Sequence, residues 1–143
     1  MKAKQLFIAL VLVSASSCTD YCKAWGDYKL GSGYSLMAGD GYNQTILILC
    51  TSDEKCCYAG IELVPANVSE VAFDDKWIVA KTNTGSETGF WVIEKLDLTH
   101  GKPDSLDIEQ ARQMVTGPLD KTAFDKLTAG ESISLTLNKF EWE

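Results

Sequence analysis

Apolar positions along the chain follow three patterns in succession: one unbroken run near the start, then short β-prone stretches set between turn residues, then helical spacing. Residues 6–13 form the unbroken run. Residues 28–37 alternate loosely and end at Ala38-Gly39-Asp40-Gly41, a turn signal, and the apolar stretch 45–50 follows, so the pattern predicts a hairpin. A polar turn over 51–55 leads into a strand at 57–64, and Pro65-Ala66-Asn67 separates that from a strand at 68–73. Asp74-Asp75 makes a reversal into 77–80, and a loop over 85–89 precedes 90–93. These last two strands are apolar at both parities, as central strands covered on both faces should be. Asp104 can cap a helix with Ile108, Ala111, Met114 and Val115 on one stripe, and Asp120 can cap a shorter one with Phe124 and Leu127. Residues 132–137 alternate cleanly and predict a closing strand. The expectation is an α+β fold: mainly antiparallel sheet, with about two helices in the C-terminal half.

The first apolar run has a different destiny. Lys2 and Lys4 precede it, Ser14-Ala15-Ser16-Ser17 follows it, and Cys18 comes next, the order of a secretory signal peptide. The run falls far short of the roughly 20 residues that span a bilayer. Ala15-Ser16-Ser17-Cys18 also resembles the lipobox of bacterial lipoproteins, with Ala15 where Leu is commonest. Ordinary cleavage after Ser17 would leave Cys18 unmodified, and cysteine parity weighs against it. Of five cysteines, lipidation of Cys18 leaves Cys22, Cys50, Cys56 and Cys57, an even set able to pair in an oxidising compartment. The expected organisation is a signal peptide at 1–17, a lipid-anchored tether at 18–26 and one globular domain at 27–143. Thr19 after Cys18 resembles an outer-membrane sorting signal, so the expected location is the bacterial cell envelope, at the outer membrane where the source has one.

Charge narrows the partners. The net charge of −7 becomes more negative when Lys2 and Lys4 leave with the signal. Such a domain offers no phosphate attraction for nucleic acid, and it repels anionic lipid, so the N-terminal lipid must do the anchoring.

Several motifs share a resemblance. Ile61-x-x-x-Pro65-x-x-Val68, Asp75-Lys76-Trp77-Ile78-Val79-Ala80-Lys81, Phe90-Trp91-Val92-Ile93-Glu94-Lys95, and Gly117-Pro118-Leu119 with Lys121-x-x-Phe124 succeed one another, after Gly31-x-Gly33-Tyr34 and Gly39-Asp40-Gly41. In this order they resemble a family of short bacterial lipoproteins known only as a domain of unknown function. The stretch from Asp104 to Val115 departs from it by its length. The resemblance implies an envelope lipoprotein and carries over no catalytic residue.

Chemistry-bearing residues are sparse. Four cysteines allow three pairings, and a bond between adjacent Cys56 and Cys57 is disfavoured because neighbouring Cα atoms lie about 3.8 Å apart, below the usual disulfide range. Neighbours on a strand point to opposite faces, so one of the two can meet Cys50 and the other Cys22. Free thiols are the alternative; a metal site lacks paired C-x-x-C spacing and has only one histidine to draw on. That histidine, His100, sits in the turn-forming Thr99-His100-Gly101-Lys102-Pro103, and no nucleophile signature accompanies it. The pairs Asp53-Glu54 and Asp74-Asp75 read as solvated corners, and Asp40-Gly41-Tyr42-Asn43 as a turn without the Glu that a calcium loop needs. Asp104-Ser105-Leu106 resembles a bacterial O-glycosylation site. Trp77 and Trp91 read as core, Trp25 and Trp142 as exposed aromatic contacts. The expectation is a non-catalytic lipoprotein without cofactor or metal, held on the membrane by its lipid and binding a protein or glycan. The alternative is an inhibitor or immunity-type lipoprotein that neutralises an exported enzyme or toxin.

Overall fold

The computed structural model describes residues 21–142 except 40, 53, 99 and 100, and only the backbone of 41–43. The signal peptide, Cys18, Thr19, His100, Asp40 and Asp53 lie outside the described residues.

Two antiparallel sheets face each other, with two helices in the C-terminal half, an α+β fold that is mainly β. The first sheet is a meander of β1 (Asp27–Gly31), β2 (Tyr34–Gly39), β3 (Gly41–Cys50) and β4 (Gly60–Val64). The predicted single strand over 28–37 is corrected to a hairpin: Ser32 and Gly33 both have positive φ, 52° and 80°, which folds β1 onto β2 in two residues. Ser-Gly in a loosely alternating stretch leaves the hydrophobic pattern unbroken, which hides the turn.

The second sheet runs β8-β7-β6-β5-β9, with β5 at Val68–Phe73, β6 at Trp77–Thr84, β7 at Glu87–Glu94, β8 at Val115–Leu119 and β9 at Asn138–Lys139. Its middle strands carry apolar residues on both faces, for a visible reason. Leu30, Tyr34, Leu36, Leu47 and Leu49 from the first sheet meet Val71, Ile78, Ala80, Trp91 and Ile93 between the sheets. On the far side, Val79, Phe90 and Val92 pack under Phe124 and Leu127 of α2 (Lys121–Gly130).

Three expectations need correction. The helix α1 spans Ser105–Gln113 with the predicted Asp104 capping box, but Val115 leaves it for β8, an edge strand. Thr116-Gly117-Pro118 reads as a turn in sequence; an edge strand tolerates the proline, and Gly117 lies where a Cβ would come within 2.6 Å of the Trp91 ring. Residues 132–137 form no ladder. Their alternation is a packing pattern, with Ile133, Leu135 and Leu137 laid against the outer cluster, and only Asn138–Lys139 pairs with β5. Finally, residues 22–26 belong to the domain and not to a tether: Cys22 is buried, and a 3₁₀ turn over Lys23–Trp25 leads into β1.

Candidate functional site

The last residues of the chain close a seam between the two sheets. The Phe140 N–H donates to the Ser69 carbonyl on β5, and Trp142 Nε1 donates to Thr45 Oγ1 on β3 at 2.9 Å. Beside this strap opens a cleft of about 810 Å³, lined by the 3₁₀ turn, β3, β5, the end of β6 and the strap itself. That volume falls within the range of about 300–1,000 Å³ common to small-molecule sites.

Its polar groups come from loop and strand-end residues. Asn67 Oδ1 accepts the Thr45 N–H at 3.1 Å, Asn83 Nδ2 donates to Ser69 Oγ at 2.8 Å, and Thr88 Oγ1 donates to Asn83 Oδ1. The aromatic part is Phe140 against Trp142, edge to face with centroids 4.8 Å apart; Tyr28, outside the lining, backs Phe140 at 5.0 Å. Lys23 Nζ lies over both the Tyr28 and Phe140 rings. Glu70, one of the carboxylates lining the cleft, is ion-paired with Lys81. The arrangement therefore offers ring faces, amides and hydroxyls in one open groove.

Trp142 corrects an expectation: it is half-buried, its indole packed against the inter-sheet core and its N–H committed to Thr45. Polar neighbours in sequence, Glu141 among them, conceal this, because the contacts of Trp142 come from strands far along the chain. Trp25 stands 73% exposed, with Tyr21 at 6.2 Å and Lys55 Nζ over the Tyr21 ring. Tyr58 is exposed as well.

The four cysteines meet on the outer face of the first sheet. Cys22 bonds Cys56 and Cys50 bonds Cys57, so the adjacent pair serves two different partners. Together they tie the segment 51–59 down across β1 and β3. Cys57 N–H donates to Asp27 Oδ2 at 2.7 Å, and Lys29 Nζ donates to the Lys55 carbonyl. Among the described residues, Cys22, Asp27 and Cys56 bring possible ligand atoms within 4.8 Å of one another, but both sulfurs are already joined in the disulfide.

Sequence reasoning missed Thr45, Asn67, Ser69 and Asn83 as a group, and it missed Asp27. Asn67 stands in a stretch that reads as a connector, and no local signal brings it to Thr45. Comparison with known protein families, curated proteins and solved structures finds no match for this chain.

Proposed function

We propose that the protein is a lipid-anchored, non-catalytic component of the bacterial cell envelope whose seam cleft binds a glycan. The observation that carries this reading is the composition of the cleft: the Phe140–Trp142 pair beside Asn67, Ser69 and Asn83. Sugars present C–H faces that stack on rings and hydroxyls that need amide and hydroxyl partners, and this groove has both. The anchor rests on the signal pattern ending at Cys18 and on the resemblance to short bacterial lipoproteins. The Cys22–Cys56 bond supports a short tether, because four residue steps from Cys18 at about 3.5 Å each reach at most about 14 Å. The glycan then lies close to the membrane that carries the lipid.

A panel of soluble oligosaccharides titrated into the exported protein, followed by tryptophan fluorescence and amide NMR shifts, tests the cleft. Saturable binding that shifts Thr45, Asn67 and Asn83 is expected, and Trp142→Ala or Asn83→Ala should weaken it by about tenfold or more, the loss typical of a contact worth over about 1.4 kcal/mol. Shifts elsewhere, or binding indifferent to both substitutions, would remove the glycan reading. For the anchor, the mature N-terminal mass should show a diacylated Cys18, and Cys18→Ala should release the domain or stall its processing.

One observation favours a second reading. Tyr21, Trp25 and Tyr58 stand exposed around the Cys22–Cys56 bond, rings of the type that dominate protein interfaces. They suit an inhibitor or immunity-type lipoprotein that captures an exported enzyme or toxin. In that case Trp25→Ala, and not Trp142→Ala, abolishes protection in a killing assay.

A further inference from the structure

Asp27 is fully buried, and half of its carboxylate is unexplained. Oδ2 accepts the Cys57 N–H, but Oδ1 has no hydrogen-bond partner among the described residues. A buried carboxylate oxygen left unpaired costs several kcal/mol unless it is protonated or serves a neighbouring group. The neighbours are sulfurs: an Asp27 carboxylate oxygen, Cys22 Sγ and Cys56 Sγ lie within 4.8 Å of one another. Around them, β1 contributes Lys29, held on the Lys55 carbonyl; the segment 51–59 contributes Glu54 and Lys55, both exposed; β2 offers only the uncharged Ser35 and Met37. On the 3₁₀ turn, Lys23 is directed to the Tyr28 and Phe140 rings.

We propose that Cys22–Cys56 is an exchange-active disulfide and that Asp27 moves the proton for it. The two sulfurs differ in access. Cys22 is 3% exposed, while Cys56 is half-buried and flanked by exposed Lys55. A thiol of an external dithiol attacks Cys56 Sγ as its thiolate, the Sγ–Sγ bond breaks, and its electron pair leaves on Cys22 Sγ, which takes the proton the attacking thiol gave up, relayed through the Asp27 carboxylate. The second thiol of the donor then attacks its own sulfur in the mixed disulfide and frees Cys56. The donor ends as a disulfide, and two electrons and two protons end on Cys22 and Cys56. In the oxidising direction the Asp27 carboxylate accepts the Cys22 proton and makes the buried thiol a nucleophile. Cys50–Cys57 likewise joins a half-buried to a buried cysteine, but among the described residues no carboxylate clusters with its two sulfurs, so it is the built-in control.

The full exported chain is treated with dithiothreitol at neutral pH, quenched with a maleimide at intervals and mapped by mass. Cys22 and Cys56 should label about tenfold faster than Cys50 and Cys57. Asp27→Asn keeps an oxygen for the Cys57 N–H but cannot carry the proton. It should slow reoxidation of Cys22 and Cys56 by glutathione disulfide by about tenfold, below the usual contribution of a positioned base because thiolates are already fair leaving groups. It should also flatten the pH dependence of that rate. Equal rates for the two disulfides, or an unchanged rate and pH profile in folded Asp27→Asn, overturn the proposal. Should the variant not fold, alkylation of reduced Cys22 in the wild-type chain decides: coupling to a carboxyl gives a two-step rise with pH, and a single ordinary thiol titration overturns it.

Discussion

The two sheets protect their outer faces by opposite means. On the second sheet, Val79, Phe90 and Val92 are covered by α2 and by Ile133, Leu135 and Leu137, so apolar burial holds that face. The first sheet's outward face mixes Met37, Ile46 and Ile48 with Asp27, Lys29, Ser35 and Glu62, and a short segment is bonded over it by two disulfides. Where the outward cluster is wholly apolar, noncovalent packing suffices; where polar residues interrupt it, covalent ties are added. The dependence on disulfide formation therefore belongs to one half of the molecule.

The largest effect should come from the core that both sheets share. Trp91 is 8% exposed, its ring abuts Gly117, and its Nε1 donates to Thr82 Oγ1 at 3.0 Å. Trp91→Ala should cost about 3–5 kcal/mol, at the upper end because the buried Thr82 hydroxyl also loses its donor. Guanidinium unfolding measures it, and a cost below about 1 kcal/mol would show that the inter-sheet core does not carry the fold.

Next come the ties. Cys22 and Cys56 close a loop with a sequence separation of 34, Cys50 and Cys57 one of 7. In the chain-entropy description the first is worth about 4 kcal/mol and the second about 2. Replacing each pair by serines should give unfolding midpoints in that order, with the second sheet's amide protection changed less than the first's. Equal protection loss in both sheets would merge the two halves into one unit and break the comparison.

Much of this contrast can be read in the chain. The double-sided apolar pattern of 77–80 and 90–93 announces the centre of the second sheet, and adjacency at Cys56-Cys57 already disfavours a bond between the two and points each to a different partner. Local signals also place both helix caps, Asp104 and Asp120. What stays hidden depends on distant contacts. The Ser32-Gly33 turn leaves no gap in hydrophobicity, β8 exists because β7 offers an edge, and 132–137 alternates against the outer cluster of the second sheet and α2 instead of beside a strand partner. The cleft is hidden for the same reason: Thr45, Asn67, Asn83 and Trp142 come together only once the two sheets and the terminal strap are in place.

The smallest expected effect sits at the β5–β6 reversal, where neither sulfur nor core is involved. Asp74 Oδ1 accepts the Trp77 N–H at 2.7 Å and the Lys76 N–H at 2.8 Å, and these bonds, the Trp77 one first, hold its carboxyl below the ordinary aspartate value of 3.8. A lowered folded-state value means that the unfolded chain takes up the proton first, so the contribution is present above the ordinary value and is lost as pH falls through the folded one. The group is solvent-facing, so the contribution is small, well under about 1 kcal/mol. Lys95 does not confuse the measurement: burial lowers its value from 10.5, and its linkage lies in the alkaline range, where stability rises with pH. Urea midpoints for wild type and Asp74→Asn at neutral pH and near pH 3 isolate the acid limb. The wild type should lose slightly more between the two than the variant does. An identical loss would show that the reversal is held by the strands on either side of it, and that the second sheet owes nothing to this carboxylate.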